Sequence, residues 1–371
     1  MTEVLAAAGV LREGVIGPGW IAFDDGRVTG TGWGSAPRGA RDLGDVILAP
    51  GFVDIQVNGC GTVDFLRAHG DEWSVAGRAL ADAGTTSYLA TLCSSPRERY
   101  ADALARVDAA RRHAEGARID GVHLEGPFLG GAPGAHPRAL LGPADPAWMD
   151  ALMAGHPGLV RLVTLAPEAD PGGAATRALV AAGVRVALGH STCSVEAARA
   201  AADAGATIVT HLGNGMRPMH QRDPGLVGAA LTDPRLVPSV IADGVHVDDV
   251  FLQVATTMRP DAILVSDAVA TGVDHLGGAV TGRDGAAFLP DGTLTGATVA
   301  LDACVRTAVR IGVPIARALA MASVHPARAV GLDTWGAMGI GGRTDLVALA
   351  PSSTRVLGTW IDGVPHEADP R

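Results

Sequence analysis

The sequence predicts an α/β protein: a (β/α)8, TIM-like barrel beside a small β-sandwich formed by the N- and C-terminal segments. Three observations carry this prediction. Between Phe52 and Ala270, eight short β-branched or apolar runs alternate with Ala-, Arg- and Asp-rich stretches of helical character. Outside that span the two chain ends share a different texture, short apolar runs broken by Gly-rich turns. Most of the eight runs close on polar residues, as barrel strands do where they open onto an active site.

The elements follow in order. Residues 1–50 carry short apolar runs interrupted at Gly17-Pro18-Gly19 and Asp25-Gly26, which suits strands and turns. The eight predicted barrel strands are 52–58, 85–93, 119–125, 159–166, 184–190, 207–213, 237–243 and 262–267. Ser95-Pro96-Arg97-Glu98 reads as a capping box with proline at the first helical position, followed at helical spacing by Tyr100, Leu104 and Val107 and stopped near Gly116. Residues 298–323 read as two further helices, the second opened by Pro314. Residues 275–296 form a Gly-rich insertion with a hairpin at Pro290-Asp291-Gly292, and 339–371 returns to the texture of the start. The expected division is a sandwich from 1–50 and 335–371 and a barrel over 51–334.

Composition narrows the chemistry. All 29 basic residues are arginine, and the 371-residue chain has no lysine. Schiff-base and pyridoxal-phosphate chemistry, the phosphate-cradling lysine of a P-loop and a carbamylated lysine bridging two metals each need an ε-amine, so all are excluded. The net charge of −10 and the lack of any arginine block exclude nucleic acid and anionic membranes as expected partners. Cys60, Cys93, Cys193 and Cys304 show no CxxC spacing and read as reduced thiols. Met1 to Arg12 lacks the pattern of a signal peptide, and no stretch of about 18 uninterrupted apolar residues is present, so a soluble cytoplasmic protein is expected.

The polar strand ends hold the candidate site. The first strand closes on Asp54-Ile55-Gln56-Val57-Asn58, the third on His123-Leu124-Glu125, the fifth on Gly189-His190-Ser191, and the sixth on Thr210-His211-Leu212-Gly213-Asn214. Asp243-Gly244-Val245-His246 follows the seventh, and Ser266-Asp267-Ala268 ends the eighth. A single histidine at a strand end is most often a hydrogen-bonded structural residue. Glu125, His190 and His211 converging on one rim instead suit one divalent catalytic metal, zinc first and iron, cobalt or manganese as alternatives. Asp267 emerges directly from an apolar strand, which favours a proton-transfer role beside a metal-activated water over simple helix capping.

These residues carry a resemblance. Pro50-Gly51-Phe52-Val53-Asp54, HLEGPF at 123–128, GHS at 189–191, THLGNGM at 210–216, ADGVH at 242–246 and SDA at 266–268 resemble the amidohydrolase superfamily, and within it the N-acetylglucosamine-6-phosphate deacetylases. HPARAVGL at 325–332 and GGRTDLVAL at 341–349 extend the match to the C-terminus.

The resemblance implies a role for each matching residue. Glu125, His190 and His211 would be metal ligands and Asp267 the general base and acid, while His136 would help polarise the acetyl carbonyl. His246, Asn214 and the backbone of Gly215 would contact substrate, and Arg222 would reach the sugar phosphate across a homodimer interface. Gln56 and Asn58 stand where many relatives carry His-x-His; neutral amides are poor zinc ligands, which favours one ion over two.

The expected reaction is removal of acetate from an N-acetylated amino sugar phosphate, N-acetylglucosamine-6-phosphate foremost. The uncharged run Leu129-Gly130-Gly131-Ala132-Pro133, the glycine in THLGNGM and Gly296-Ala297-Thr298 depart from the family pattern and keep open the galactosamine epimer or a sugar without phosphate. A catalytically inactive barrel serving as a binding protein is the remote alternative, disfavoured because Glu125, His190, His211 and Asp267 are all present.

Overall fold

The computed structural model describes residues 2–332 and 338–367. All eight predicted barrel strands are present: β1 (Phe52–Val57), β2 (Thr85–Leu92), β3 (Arg118–Glu125), β4 (Val160–Leu165), β5 (Arg185–Leu188), β6 (Ile208–Val209), β7 (Val237–Ile241) and β8 (Ile263–Val265). Each pairs in parallel with its sequence neighbour, so chain order and sheet order coincide. A bridge from Val57 to Ala268, with the Asp267 amide donating to the Gln56 carbonyl at 2.9 Å, brings β8 back onto β1.

The runs are short and apolar because each strand is covered on both faces. Val53, Ile55, Leu89, Leu162, Ala187, Ile208, Ile241, Ile263 and Val265 fill the interior and continue onto Ala327, Val330 and Leu332. The helix Val324–Ala329 sits at the strands' N-terminal end, where His325 Nδ1 donates to the Ala262 carbonyl at 3.0 Å. The opposite, C-terminal mouth is thereby left for chemistry.

The two helices expected over 298–323 form as Leu301–Arg310 and Ile315–Ala322, with Pro314 directly before the second. The capping box does not form. The helix after β2 begins at Glu98, and no side chain caps it. Instead the Tyr100 hydroxyl accepts from the Ser95 amide at 3.1 Å and donates to the Cys93 carbonyl at 3.0 Å, clamping the β2 exit loop. Buried Tyr100 thus orders the loop in place of the Ser95 hydroxyl, which is itself buried and caps nothing.

The chain ends share one eight-stranded sheet, in which Ile47–Pro50 lies between Glu3–Arg12 and Leu346–Leu349. Its far strand, Arg27–Trp33, folds back so that the Val28 amide and carbonyl pair with Gly342 and Gly341 at 3.0 and 2.8 Å. Leu5, Val10, Ile21, Phe23, Leu48, Leu346 and Trp360 pack inside. The expected boundary at residues 334 and 335 lies outside the described residues. Gly51 marks the turn from sheet to barrel, and a Cβ there would lie 2.3 Å from Thr86 Cγ2, so only glycine fits.

The insertion begins slightly earlier than expected and is a four-stranded sheet: Gly272–Val273, Ala279–Arg283, Ala286–Phe288 and Leu294–Ala297. The Pro290-Asp291-Gly292 turn closes with the Gly292 amide on the Leu289 carbonyl at 2.9 Å. Among the described residues no helix is long and apolar enough to cross a membrane.

Arg118, at the start of β3, joins barrel to sheet by donating to Asp345 Oδ1 at 2.9 Å and to Asp362 Oδ2 at 3.4 Å. Asp345 is buried and its other cation, Arg343, stands off at 3.8 Å, so removing Arg118 leaves a poorly compensated desolvated charge. Arg118→Met is expected to lower unfolding free energy by about 3–5 kcal/mol. Equilibrium denaturation checks this; an unchanged midpoint contradicts the role of the pair.

Candidate active site

Three of the residues closing barrel strands occupy backbone conformations that side chains rarely adopt. His190, His211 and Asp267 have φ of 49°, 32° and 49°. Each costs about 1–3 kcal/mol and persists only where its surroundings over-determine it. Here the flanking backbone is held: the His190 carbonyl accepts from Gly130 at 2.9 Å, the His211 amide donates to Ser239 Oγ at 2.8 Å, and the Asp267 carbonyl accepts from Ala297 at 3.0 Å. The reward is three side chains turned into one mouth.

They meet at Glu125, the last residue of β3. Its Oε1 lies 2.9 Å from His211 Nε2 and 3.3 Å from His190 Nε2, and the two Nε2 atoms are 3.0 Å apart. Gln56 Nε2 donates to the same Oε1 at 2.8 Å. His190 Nδ1 donates to the Ala132 carbonyl at 3.2 Å, which fixes the ring with Nε2 turned inward toward Glu125. Burial alone would raise the Glu125 carboxyl, but hydrogen bonds and charge from His190 and His211 hold it well below the usual carboxylate range.

Two imidazole nitrogens and a carboxylate oxygen converging on one point repel unless a cation lies among them. Their spacing sits a few tenths of an ångström inside the roughly 3.4 Å separating tetrahedral zinc ligands, and their chemistry is that of a two-His, one-carboxylate set. The residues therefore fit a divalent ion. Beneath them His123 Nε2, Thr164 Oγ1 and Thr210 Oγ1 form a chain with 2.8 and 2.7 Å links, and burial lowers His123 to about 4, keeping this layer uncharged.

On the facing side Asn58 Nδ2 donates to Asp267 Oδ1 at 2.8 Å. Burial, reinforced by the charge of Glu125, pushes the Asp267 carboxyl up to about 8, and the Asn58 hydrogen bond pulls against that rise. His136 lies against His190, their ring centroids 4.5 Å apart, with Nδ1 2.9 Å from Ser94 Oγ and accepting from the Ser94 amide at 3.4 Å. Burial and neighbouring His190 lower His136 to about 3, so it is neutral with its proton on Nε2. His246 is oriented by Asp243, whose Oδ2 lies 2.6 Å from Nδ1.

A cavity of about 360 Å³ collects Asn58, Glu125, His136, His190, His211, Asn214, Gly215, His246 and Asp267. Gln56 sits behind Glu125 rather than in the wall. Arg222 does not line the cavity of its own chain; it is exposed on the loop after β6, and Arg217 beside it is paired with Asp223 at 2.5 Å. Among the described residues no arginine reaches the cavity wall.

Cys93, Ser94, Asp64 and His275 also line the cavity, and sequence reasoning missed them. Cys93 and Ser94 directly follow β2, so the strand-end rule that found the others reaches them too. Asp64 lies in the short hairpin after β1 and His275 in the insertion, where no barrel-strand end gives a signal. The insertion roofs the cavity with Leu276, Val280, Leu289 and Leu294.

An open barrel mouth carrying this donor set defines a metal-dependent hydrolase, and the amidohydrolase family matches residues 47–365; the chain belongs to that family. Within it the chain stands among the N-acetylglucosamine-6-phosphate deacetylases. It is 39% identical over 345 residues to the N-acetylglucosamine-6-phosphate deacetylase of Rattus norvegicus, covering 87% of this chain and 84% of the relative. It is 35% identical over 375 residues to the N-acetylgalactosamine-6-phosphate deacetylase of Escherichia coli O157:H7, covering 98% and 99%. The structure of a Mycobacterium smegmatis N-acetyl-D-glucosamine-6-phosphate deacetylase variant, in complex with N-acetyl-D-glucosamine-6-phosphate, superposes with a TM-score of 0.92 at 34% identity, covering 98% of this chain and 99% of that one. The chain is thus a hydrolase acting on a linear amide.

Gly215 sets the position of one donor. Its φ is +56°, and a Cβ there would lie 2.6 Å from His190 Nδ1. Gly215→Ala is expected to displace the ring and weaken divalent-ion affinity about 10–100-fold with the fold retained. Chelator competition measures this; wild-type affinity contradicts it.

Proposed function

We propose that the chain hydrolyses the N-acetyl group of N-acetylglucosamine-6-phosphate, releasing acetate and glucosamine-6-phosphate, with one divalent ion, zinc foremost, held by Glu125, His190 and His211. The observation that carries this reading is that Asp267 lines one cavity together with that donor set, His136 and His246. The names of the relatives supply the substrate class.

The chain's own residues divide the work. A bound ion supplies Lewis-acid polarisation and lowers the pKa of a water. The neutral His136 presents its Nε2 proton to the acyl carbonyl oxygen, because Ser94 occupies Nδ1. Asp267, as carboxylate, accepts a proton from the attacking water while the water oxygen bonds to the acyl carbon. It then returns that proton to the amide nitrogen as the C–N bond breaks, leaving acetate and a free amine. Gln56 and Asn58 each anchor one carboxylate, Glu125 and Asp267 respectively. The insertion's apolar roof excludes water from the charges below.

Arg222 is read as reaching the phosphate in a neighbouring subunit of a homodimer. Supporting this, it is exposed, its guanidinium has no partner among the described residues, and its own cavity contains no arginine. The galactosamine epimer is the second reading, favoured by the Escherichia coli relative that matches nearly end to end. A cytoplasmic location is proposed from the four free cysteines.

Acetate release from the glucosamine and galactosamine forms, each with and without the 6-phosphate, tests the substrate. The glucosamine phosphate is expected to give the highest kcat/KM; preference for the epimer or indifference to phosphate overturns it. Arg222→Ala is expected to raise KM for the phosphorylated sugar about tenfold or more and leave the free sugar unaffected. Asp267→Asn is expected to lower kcat about 10²–10⁴-fold with ion binding retained.

Because the base must be deprotonated, kcat/KM rises with pH through the Asp267 titration. Asn58→Leu removes a hydrogen bond that stabilises the carboxylate, so this limb should move about one to two pH units higher. An unmoved or acid-shifted limb contradicts the assignment.

A further inference from the structure

The insertion is held from outside the cavity by arginines that no carboxylate answers. Arg67 Nη1 donates to the Val273 and Asp274 carbonyls at 3.3 and 3.2 Å, and Arg99 Nη1 donates to the next carbonyl, His275, at 2.9 Å. Arg106 lies about two turns beyond Arg99 on the helix Glu98–Ala110. Its Nε and Nη2 donate to the Ala68 and Leu66 carbonyls, which flank Arg67. These bonds gather three guanidiniums at one cleft of about 430 Å³, lined by Leu66, Arg67, His69, Arg99, Asp102 and Arg106. Among the described residues none of the three has a carboxylate within 4.0 Å, whereas Arg97, Arg235 and Arg310 each bind one at 2.9 Å or less.

We propose that Arg67, Arg99 and Arg106 bind a small phosphate monoester outside the catalytic cavity, and that the bound anion tightens the insertion over that cavity. Three guanidiniums against one carboxylate, Asp102, leave the cleft two positive charges in excess, in a chain of net charge −10. His69 adds none to that excess, being answered by Glu72 at 3.1 Å. The excess matches a phosphate monoester, which carries about −1.5 to −2 at neutral pH. Arg67 and Arg99 each keep Nε and Nη2 free, and Arg106 keeps Nη1, for its oxygens. An adjoining cleft of about 270 Å³ shares His69 and Arg106 and runs past Trp73, Ser74 and His113, giving room for the organic part.

Like charges gathered in one cleft repel, and an anion among them relieves that repulsion while Arg67 and Arg99 keep their grip on three consecutive carbonyls. The gripped segment supplies Asp274, His275 and Leu276 to the cavity wall. His275 Nε2 donates to the Ser94 carbonyl at 3.1 Å, and the Ser94 hydroxyl holds His136. The anion therefore reaches the active site through the insertion. Neither the cleft nor this link depends on which ion or sugar the cavity takes.

The test titrates the full-length protein with inorganic phosphate at constant ionic strength, chloride being the anion exchanged. Binding is read by calorimetry and opening of the insertion by amide hydrogen exchange over 272–278. Phosphate is expected to slow that exchange about fivefold or more in the wild type. Arg106 makes no hydrogen bond to the insertion, so Arg106→Gln should leave exchange without phosphate unchanged. Arg106→Gln and Arg99→Gln should each weaken phosphate binding about tenfold or more and abolish the slowing, whereas Arg222→Ala keeps both. A wild type that binds no phosphate, or wild-type affinity in both Arg106→Gln and Arg99→Gln, overturns the site. Slowing lost only in Arg222→Ala places the anion in the catalytic cavity and overturns it too. Binding that needs Arg99 and Arg106 but leaves exchange unchanged overturns the tightening of the insertion.

Discussion

The active site depends on one constraint: a carboxylate and two imidazoles have been forced around a single point in the mouth of the barrel. Glu125, His190 and His211 are all buried, and their donor atoms lie within 3.3 Å of one another. An uncompensated arrangement of that kind is costly. The barrel meets part of the cost with rigidity: strained φ angles at His190, His211 and Asp267 are pinned by hydrogen bonds from the loop after β3, from β7 and from the insertion. A divalent ion held there, as proposed, would offset the remainder by turning mutual repulsion into coordination.

From that point outward the layers have distinct jobs. An uncharged layer of His123, Thr164 and Thr210 lies below the donors. Neutral amides from β1 and its exit hold the two carboxylates apart in role, Gln56 on Glu125 and Asn58 on Asp267. The absence of lysine fits this design, since no carbamate bridge is possible and Glu125 is left as the carboxylate of the proposed ion site. It also places any phosphate in the care of arginine, histidine and backbone amides.

Much of this was legible in the sequence because barrel strands announce themselves twice, by apolar runs and by the polar residues that close them. All eight runs became strands, and Glu125, His190, His211 and Asp267 came together as their strand-end positions implied. The capping box at Ser95 failed because a local motif competes with tertiary contacts, and buried Tyr100 took over that loop. Asp64 and His275 were invisible because no periodicity places a short hairpin or an insertion above a barrel mouth. Cys93 was overlooked for a different reason: one thiol after an apolar strand looks like core until the Glu125 oxygen facing it is seen. Arg222 marks the reverse case, a residue legible by resemblance that its own chain does not bring to the cavity.

The most direct measurement is X-ray absorption at the zinc edge on protein holding one equivalent of zinc. The account predicts two imidazole nitrogens at about 2.0–2.1 Å with the remaining ligands oxygen and no sulfur. A first shell without imidazole, or one containing sulfur at one equivalent, contradicts the claim that Glu125, His190 and His211 hold the catalytic ion.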